Sequence, residues 1–196
     1  MVEKRTDRVQ IQNFASRGVE LFDQIEVSLQ SLVEQTANVN YRGPNAHRFK
    51  TQCASGAVDF AEATSQTMRQ MSDLVQSATS FIARALGGEP ITLEPPRVSV
   101  RMPAISADES VEAAEDTALL QLRQEVDVLY SDVVAHFEEN LSNMEALGMD
   151  GWWGPEYDDA LVSMRSLTSG AVERCEASRS NMTAAIQTQV DMLFRG

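Results

Sequence analysis

Two histidines, two cysteines and a few adjacent carboxylates are the side chains here whose types could carry catalysis or hold a metal. A zinc site needs ligands at set intervals, such as His-Glu-x-x-His or closely spaced cysteines. His47 and His136 have no such companions, and Cys53 and Cys175 stand far apart. Cys53 follows His47 by six positions, which on a helix turns the two side chains to different faces, so no thiolate–imidazole pair is set up. Glu115-Asp116, Glu138-Glu139 and Asp158-Asp159 are neighbours in sequence and diverge on a helix, so none is a general-acid/base dyad. Gly87-Gly88 runs into Pro90 and not into a helix, which excludes a phosphate-cradling loop. The nine methionines fall at core spacing and fill gaps. The expectation is a protein that is not an enzyme, with no catalytic residue, no metal and no cofactor.

The feature that does recur is a corner. Tyr41-Arg42-Gly43-Pro44 closes the turn at 39–44, and Trp152-Trp153-Gly154-Pro155 closes the turn at 148–155. Glycine permits a tight reversal, and proline is suited to the first position of the helix that follows. The segments flanking each corner carry apolar residues at helical spacing. Phe14, Leu21, Ile25, Leu29 and Leu32 mark the first; Ala46, Phe49, Cys53, Gly56, Phe60, Met71 and Phe81 mark the second. Val111, Ala114, Leu122, Val126, Val133 and Phe137 mark the third, and Met164, Leu167, Ala171, Cys175, Ala185, Met192 and Phe194 the fourth. Hydrophobic residues make up 43% of the chain, enough for a core, only 6% are aromatic, and the richness in Ala, Ser, Gln, Glu, Leu, Val and Met favours helix over sheet.

These segments give an all-α chain: two long antiparallel helical hairpins packed as a four-helix bundle and joined by an extended Pro-rich linker. Residues 1–86 form the first hairpin, 87–107 the linker and 108–196 the second, acidic hairpin. The linker holds four of the six prolines and cannot be helical throughout, with Val98-Ser99-Val100 as a strand-like piece. A helix of about 42 residues is ~63 Å long, and 21 extended residues reach roughly that far. Such a linker suits hairpins lying antiparallel to each other, because it can run the length of the bundle. Cys53 and Cys175 then fall at different heights and are expected to be free thiols.

The charge sorts by hairpin. Up to residue 86 the acidic and basic residues balance at nine each, whereas from Asp108 onward five arginines face eighteen acidic residues. The net charge of −13 therefore resides in the second hairpin. That composition argues against nucleic acid and permits a basic protein as partner, or simply keeps the surface hydrated. No apolar run is long enough to span a bilayer, and residues 1–8 lack the apolar stretch of a secretory signal. Asp108, Glu109 and Glu112 are placed to favour the positive end of the third helix, as Glu156, Asp158 and Asp159 are after Pro155.

The two hairpins read as a duplication. The corners match at an offset of 111, and Ser55-Gly56-Ala57-Val58-Asp59 matches Ser169-Gly170-Ala171-Val172-Glu173 at 114, which implies a three-residue insertion near Tyr157.

Helix, Trp-x-Gly corner and second helix, as in Trp152-Trp153-Gly154 and its variant Tyr41-Arg42-Gly43, resemble the WxG-type, ESAT-like hairpins of type VII secretion. The resemblance covers both hairpins and omits the linker. It implies a non-enzymatic interaction protein, a secretion substrate or partner-chaperone, built as a fused pseudo-dimer of two hairpins and monomeric in itself. Its partners would be proteins, the secretion machinery or a basic protein among them, contacted through Tyr41, Gly43, Pro44, Trp152, Trp153, Gly154 and Pro155. The Tyr-x-x-x-Asp/Glu export pattern of that family is missing: Asn45, Val134 and Leu161 stand four residues after the three tyrosines. Two localisations stay open, secretion without a classical signal peptide alongside a signal-bearing partner, or the cytoplasm. The alternative function is a cytoplasmic structural or adaptor bundle that is not exported.

Overall fold

The computed structural model describes residues 5–86, 99–105 and 113–195. Four helices account for nearly all of them: α1 (Arg8–Asn38), α2 (Pro44–Leu86), α3 (Asp116–Asp150) and α4 (Pro155–Phe194). Four two-residue strands accompany them: β1 (Arg5–Thr6), β2 (Tyr41–Arg42), β3 (Ala113–Ala114) and β4 (Trp152–Trp153). The helices pack as an all-α four-helix bundle, through the pairs α1–α2, α1–α3, α2–α4 and α3–α4. Most of the 87–107 linker, including Val98, lies outside the described residues, as do Asp108, Glu109, Val111 and Glu112.

Two compact units can be distinguished, and each draws a segment from every helix. The first comprises α1 as far as Gln24, α2 from Thr64, α3 from Val134 with β4, and α4 as far as Val172. Within it the early part of α1 lies beside the late part of α3, where Arg17 donates to Glu139 at 2.7 Å. Arg165 of α4 reaches Glu145 of α3 at 2.8 Å. These exposed pairs add little stability but report the packing order. The core here holds Phe14, Leu21, Met71, Phe137, Met144 and Trp152, all buried. Gly18 of α1 lets α3 approach, since a Cβ on it would stand 3.2 Å from Asn140 Oδ1.

The second unit comprises α1 from Ile25, β2, α2 as far as Ala63, β3, α3 as far as Val133 and α4 from Glu173. Its α3–α4 pairing is antiparallel, because Arg123 bonds Gln187 at 2.6 Å while Tyr130 bonds Ser178 at 2.7 Å. Tyr130 also packs on Phe60, ring centroids 5.0 Å apart. Cys53 and Cys175 are both buried free thiols in this unit. The segment 99–105 runs along α1: the amide of Ser99 donates to Glu26 and that of Arg101 to Gln30. Two residues of extended chain advance ~6.6 Å and four helical residues ~6 Å, so this piece of the linker tracks α1 in step and in the same direction.

The helix starts are locally encoded. Asp7 Oδ1 accepts the amides of Val9 and Gln10, capping α1. Pro44 and Pro155 occupy the first helical positions of α2 and α4, where the missing N–H costs nothing. The third helix begins at Asp116, later than the acid-rich run from Asp108 suggested, because Ala113–Ala114 is taken into a ladder with Tyr41–Arg42. Ala114 therefore belongs to a strand and not to a helical face.

Burial confirms most of the expected faces and corrects a few. Gly56, Phe81, Met192 and Phe194 are exposed. Beyond Cys175 the buried stripe of α4 runs through Met182, Ile186 and Val190. It also fixes how the hairpins correspond. At an offset of 108, Ile11, Phe14, Ile25, Leu29 and Val39 fall on Leu119, Leu122, Val133, Phe137 and Leu147, all buried. At 111, Phe49, Cys53, Phe60, Met71 and Val75 fall on Ala160, Met164, Ala171, Met182 and Ile186, again all buried. The extra three residues therefore sit between Leu147 and Trp152, within 148–151, rather than near Tyr157. The offset of 114 would put buried Phe60 on exposed Arg174, so the Ser-Gly-Ala-Val similarity does not mark equivalent positions.

Candidate functional site

Each corner is built the same way. Gly43 and Gly154 have φ of 110° and 132°, left-handed backbone that residues with a Cβ rarely adopt. The Gly43 carbonyl accepts the amide of His47, and the Gly154 carbonyl accepts those of Tyr157 and Asp158, closing the first turn of α2 and of α4. The aromatic two residues before each glycine is driven inward: Tyr41 is 4% exposed and Trp152 0%. Tyr41 packs on Phe49 with centroids 6.0 Å apart and reaches Gln189 through its hydroxyl. Trp152 meets Tyr157 edge-on at 5.4 Å. Its indole N–H has no partner among the described residues, an uncommon state for a buried donor.

Each corner also pairs with the residues that lead into the other hairpin. Thr6 lies opposite Trp152 and Arg5 opposite Trp153 in β1–β4. Tyr41 lies opposite Ala114 and Arg42 opposite Ala113 in β2–β3. In the first unit the Asp7 amide also donates to the Gly151 carbonyl at 2.6 Å. These ladders place each turn at the open end of the other hairpin, the antiparallel arrangement expected from the linker length.

The second residue of each corner points outward, and here the corners part. Arg42 is exposed in the first. In the second, Trp153 is 38% exposed, a large ring left at the surface. Its indole N–H donates to the Gly148 carbonyl at 2.6 Å, and the Arg5 guanidinium stands 5.6 Å from its ring centroid. Hydrogen bond and cation–π contact together hold the ring in one orientation. Val9 and Met149, both well exposed, belong to the same unit.

The cysteines, histidines and carboxylates do not gather into a reactive centre among the described residues. Burial pushes the Cys53 thiol up to about 11 and the Cys175 thiol up to about 12, so both stay protonated near neutral pH and are poor nucleophiles. Among the described residues no group of three or more His, Cys, Asp or Glu could hold a metal ion. No described helix is long and apolar enough to cross a membrane.

One feature escaped the sequence. An open groove of about 770 Å³ lies between α2 and α4 within the second unit, its apolar lining drawn from Phe49, Phe60, Met182 and Met192. Gly56 opens onto it, and a Cβ there would meet nothing within 4 Å. The offset of 111 puts Leu167 in the place of Gly56 and Leu74 in the place of Ala185, both partly buried. The groove arises where Gly56 of the first hairpin and Ala185 of the second each stand in place of a leucine of the other hairpin.

No protein-family model matches the chain, and no curated protein and no solved structure matches it either.

Proposed function

We propose that the chain is a non-enzymatic interaction protein, a fused pair of WxG-like hairpins that engages a protein partner through its second corner in the setting of type VII secretion. The observation that carries this reading is Trp153, an exposed indole fixed by Gly148 and Arg5 beside a buried twin, Trp152. Rigid aromatic side chains lose little entropy on binding and are favoured as interface anchors. Gly154 and Pro155 set the corner that presents the ring, while Tyr41, Gly43 and Pro44 form the corresponding corner with a charge in place of the indole. The acidic second hairpin suits a basic partner surface or secretion component, and the fused hairpins bury each other's apolar faces, which favours a monomer. A bundle that stays in the cytoplasm as an adaptor is the second reading, favoured by the missing Tyr-x-x-x-Asp/Glu pattern.

The test is capture of partners from native lysate by the wild-type protein and by Trp153→Ala, at low and high salt. The reading expects a partner that Trp153→Ala loses while its circular dichroism stays native. Equal capture by both proteins would remove the second corner as the contact. Capture that survives high salt would leave the aromatic contact and remove the electrostatic one, since exposed charges are screened beyond ~8–10 Å at physiological ionic strength. Appearance in culture filtrate that stops on deletion of the secretion ATPase separates export from the cytoplasmic reading.

A further inference from the structure

A second cavity, of about 340 Å³, lies at the first corner within the second unit. Arg42, His47 and Lys50 line it together with Asn38 and Asn40. Neither Arg42 nor Lys50 has an ion-pair partner among the described residues, although the molecule as a whole carries a net charge of −13. The two cations are close enough to act on each other: partial burial and then the charge of Arg42 both hold the Lys50 ammonium below its usual range. The Nδ1 atom of His47 is shut off from solvent with no partner among the described residues.

The backbone adds to this positive field. The α2 helix has no acidic residue in its first turn, whereas α3 has Asp116 and α4 has Glu156 and Asp158. Asp116 is engaged at its own helix start, accepting the amide of Thr117. Cations gathered at the positive end of a helix are the reverse of what the helix dipole favours. At the equivalent positions of the second hairpin, Trp153, Asp158 and Leu161 replace Arg42, His47 and Lys50. The cationic pocket therefore belongs to the first corner and does not follow from the repeated fold.

We propose that this pocket binds a phosphoryl group, as free phosphate or as the terminal phosphate of a small ester or lipid headgroup. Arg42 would engage two oxygens through its planar fork, Lys50 would supply a compact charge, and Asn38 and Asn40 would donate to the remaining oxygens. A doubly negative ligand relieves the repulsion between Arg42 and Lys50, and a volume of this size admits a phosphomonoester. Neither Trp153 nor a partner protein lines this pocket, so it stands or falls separately from the second corner.

The experiment uses the full chain with three probes at constant ionic strength: inorganic phosphate, glycerol phosphate, and phosphatidylcholine vesicles with and without phosphatidic acid. Binding is read by amide chemical shifts for residues 38–50 and by calorimetry, or by co-sedimentation for vesicles. The expected result is saturable binding of at least one probe that weakens about tenfold or more in Arg42→Gln and in Lys50→Gln. Binding of both soluble probes assigns a free ligand, and retention only on phosphatidic acid vesicles assigns a headgroup. The proposal is overturned if no probe binds at millimolar concentration, or if the Arg42→Gln/Lys50→Gln double variant binds as the wild type does. Thermal unfolding of the variants, which alter exposed or half-buried charges, checks that any lost binding is not lost folding.

Discussion

The phenol ring of Tyr157 fills the space that a side chain on Gly148 would need. Its hydroxyl donates to the Met144 carbonyl at 3.0 Å, so the ring spans from the first turn of α4 to the last turns of α3. Gly148 lies in the stretch 148–151 that holds the three-residue excess of the second corner over the first. Gly148→Ala must displace this ring and is expected to cost about 1–3 kcal/mol, the usual range for overpacking. Thermal denaturation of Gly148→Ala, alone and with Tyr157→Ala, checks it. An unchanged melting temperature in the single variant would remove the ring from this role.

The two tryptophans of the second corner should behave oppositely. Trp152→Ala empties a fully buried site and is expected to cost about 3–5 kcal/mol. Trp153→Ala gives up one hydrogen bond and a surface contact, for less than about 1.5 kcal/mol. Trp152→Phe should fall between them, because it loses volume but also removes a buried N–H that has no partner among the described residues. Chemical denaturation of the three variants ranks them, and a larger loss at Trp153 than at Trp152 would reverse the assignment.

Gly56 should respond in the opposite sense to Gly148. It lies within α2, and a Cβ added there meets nothing within 4 Å. Gly56→Ala is expected to stabilise by about 0.5–1 kcal/mol through helix propensity and the entropy of the unfolded chain. Gly56→Leu and Ala185→Leu restore what Leu167 and Leu74 supply in the other copy, and each should raise the melting temperature further by covering apolar lining. Gly43→Ala and Gly154→Ala, by contrast, should cost about 1–2 kcal/mol each, because their φ angles are left-handed. The same substitution at four glycines thus separates backbone strain, a filled space and an empty one.

How far these features were legible depends on the range of the interactions that make them. The corners were readable because Tyr41-x-Gly43-Pro44 and Trp152-x-Gly154-Pro155 encode their own geometry: a left-handed residue, then a helix start. The apolar stripes were readable wherever both neighbours continue, and failed at Phe81, Met192 and Phe194, which fall in the last two turns of their helices. The ladders were not readable, since Arg5-Thr6 and Ala113-Ala114 carry no strand signal and pair only because the bundle brings them to a corner. The groove was hidden for the same reason. Gly56 looks like one more small residue on a helical face until the offset of 111 sets it against Leu167. Arg42, His47 and Lys50 stand within nine residues, but their convergence on one cavity depends on how the first turn folds over α2.

The two thiols make stability depend on pH at the alkaline end. Cys53 and Cys175 are held at about 11 and about 12 in the folded chain, against an ordinary value near 9, and burial is the first cause in both. Tyr130, packed on Phe60 beside them, is likewise raised to about 12, chiefly by burial. For all three acids the folded state prefers the neutral form. Between the ordinary and the raised values the unfolded chain has released protons that the folded chain still holds, so stability falls as pH rises. Their contribution is fully present below about pH 8, begins to decline near pH 9, and continues to decline through about pH 12. Cys53→Ala and Cys175→Ala should each flatten that decline while lowering stability at neutral pH by opening a small cavity. Denaturant unfolding from pH 7 to 11 follows both effects. A wild-type stability that stays level across this range would mean the thiols ionise as readily folded as unfolded, and that the Tyr130 cluster is open to water.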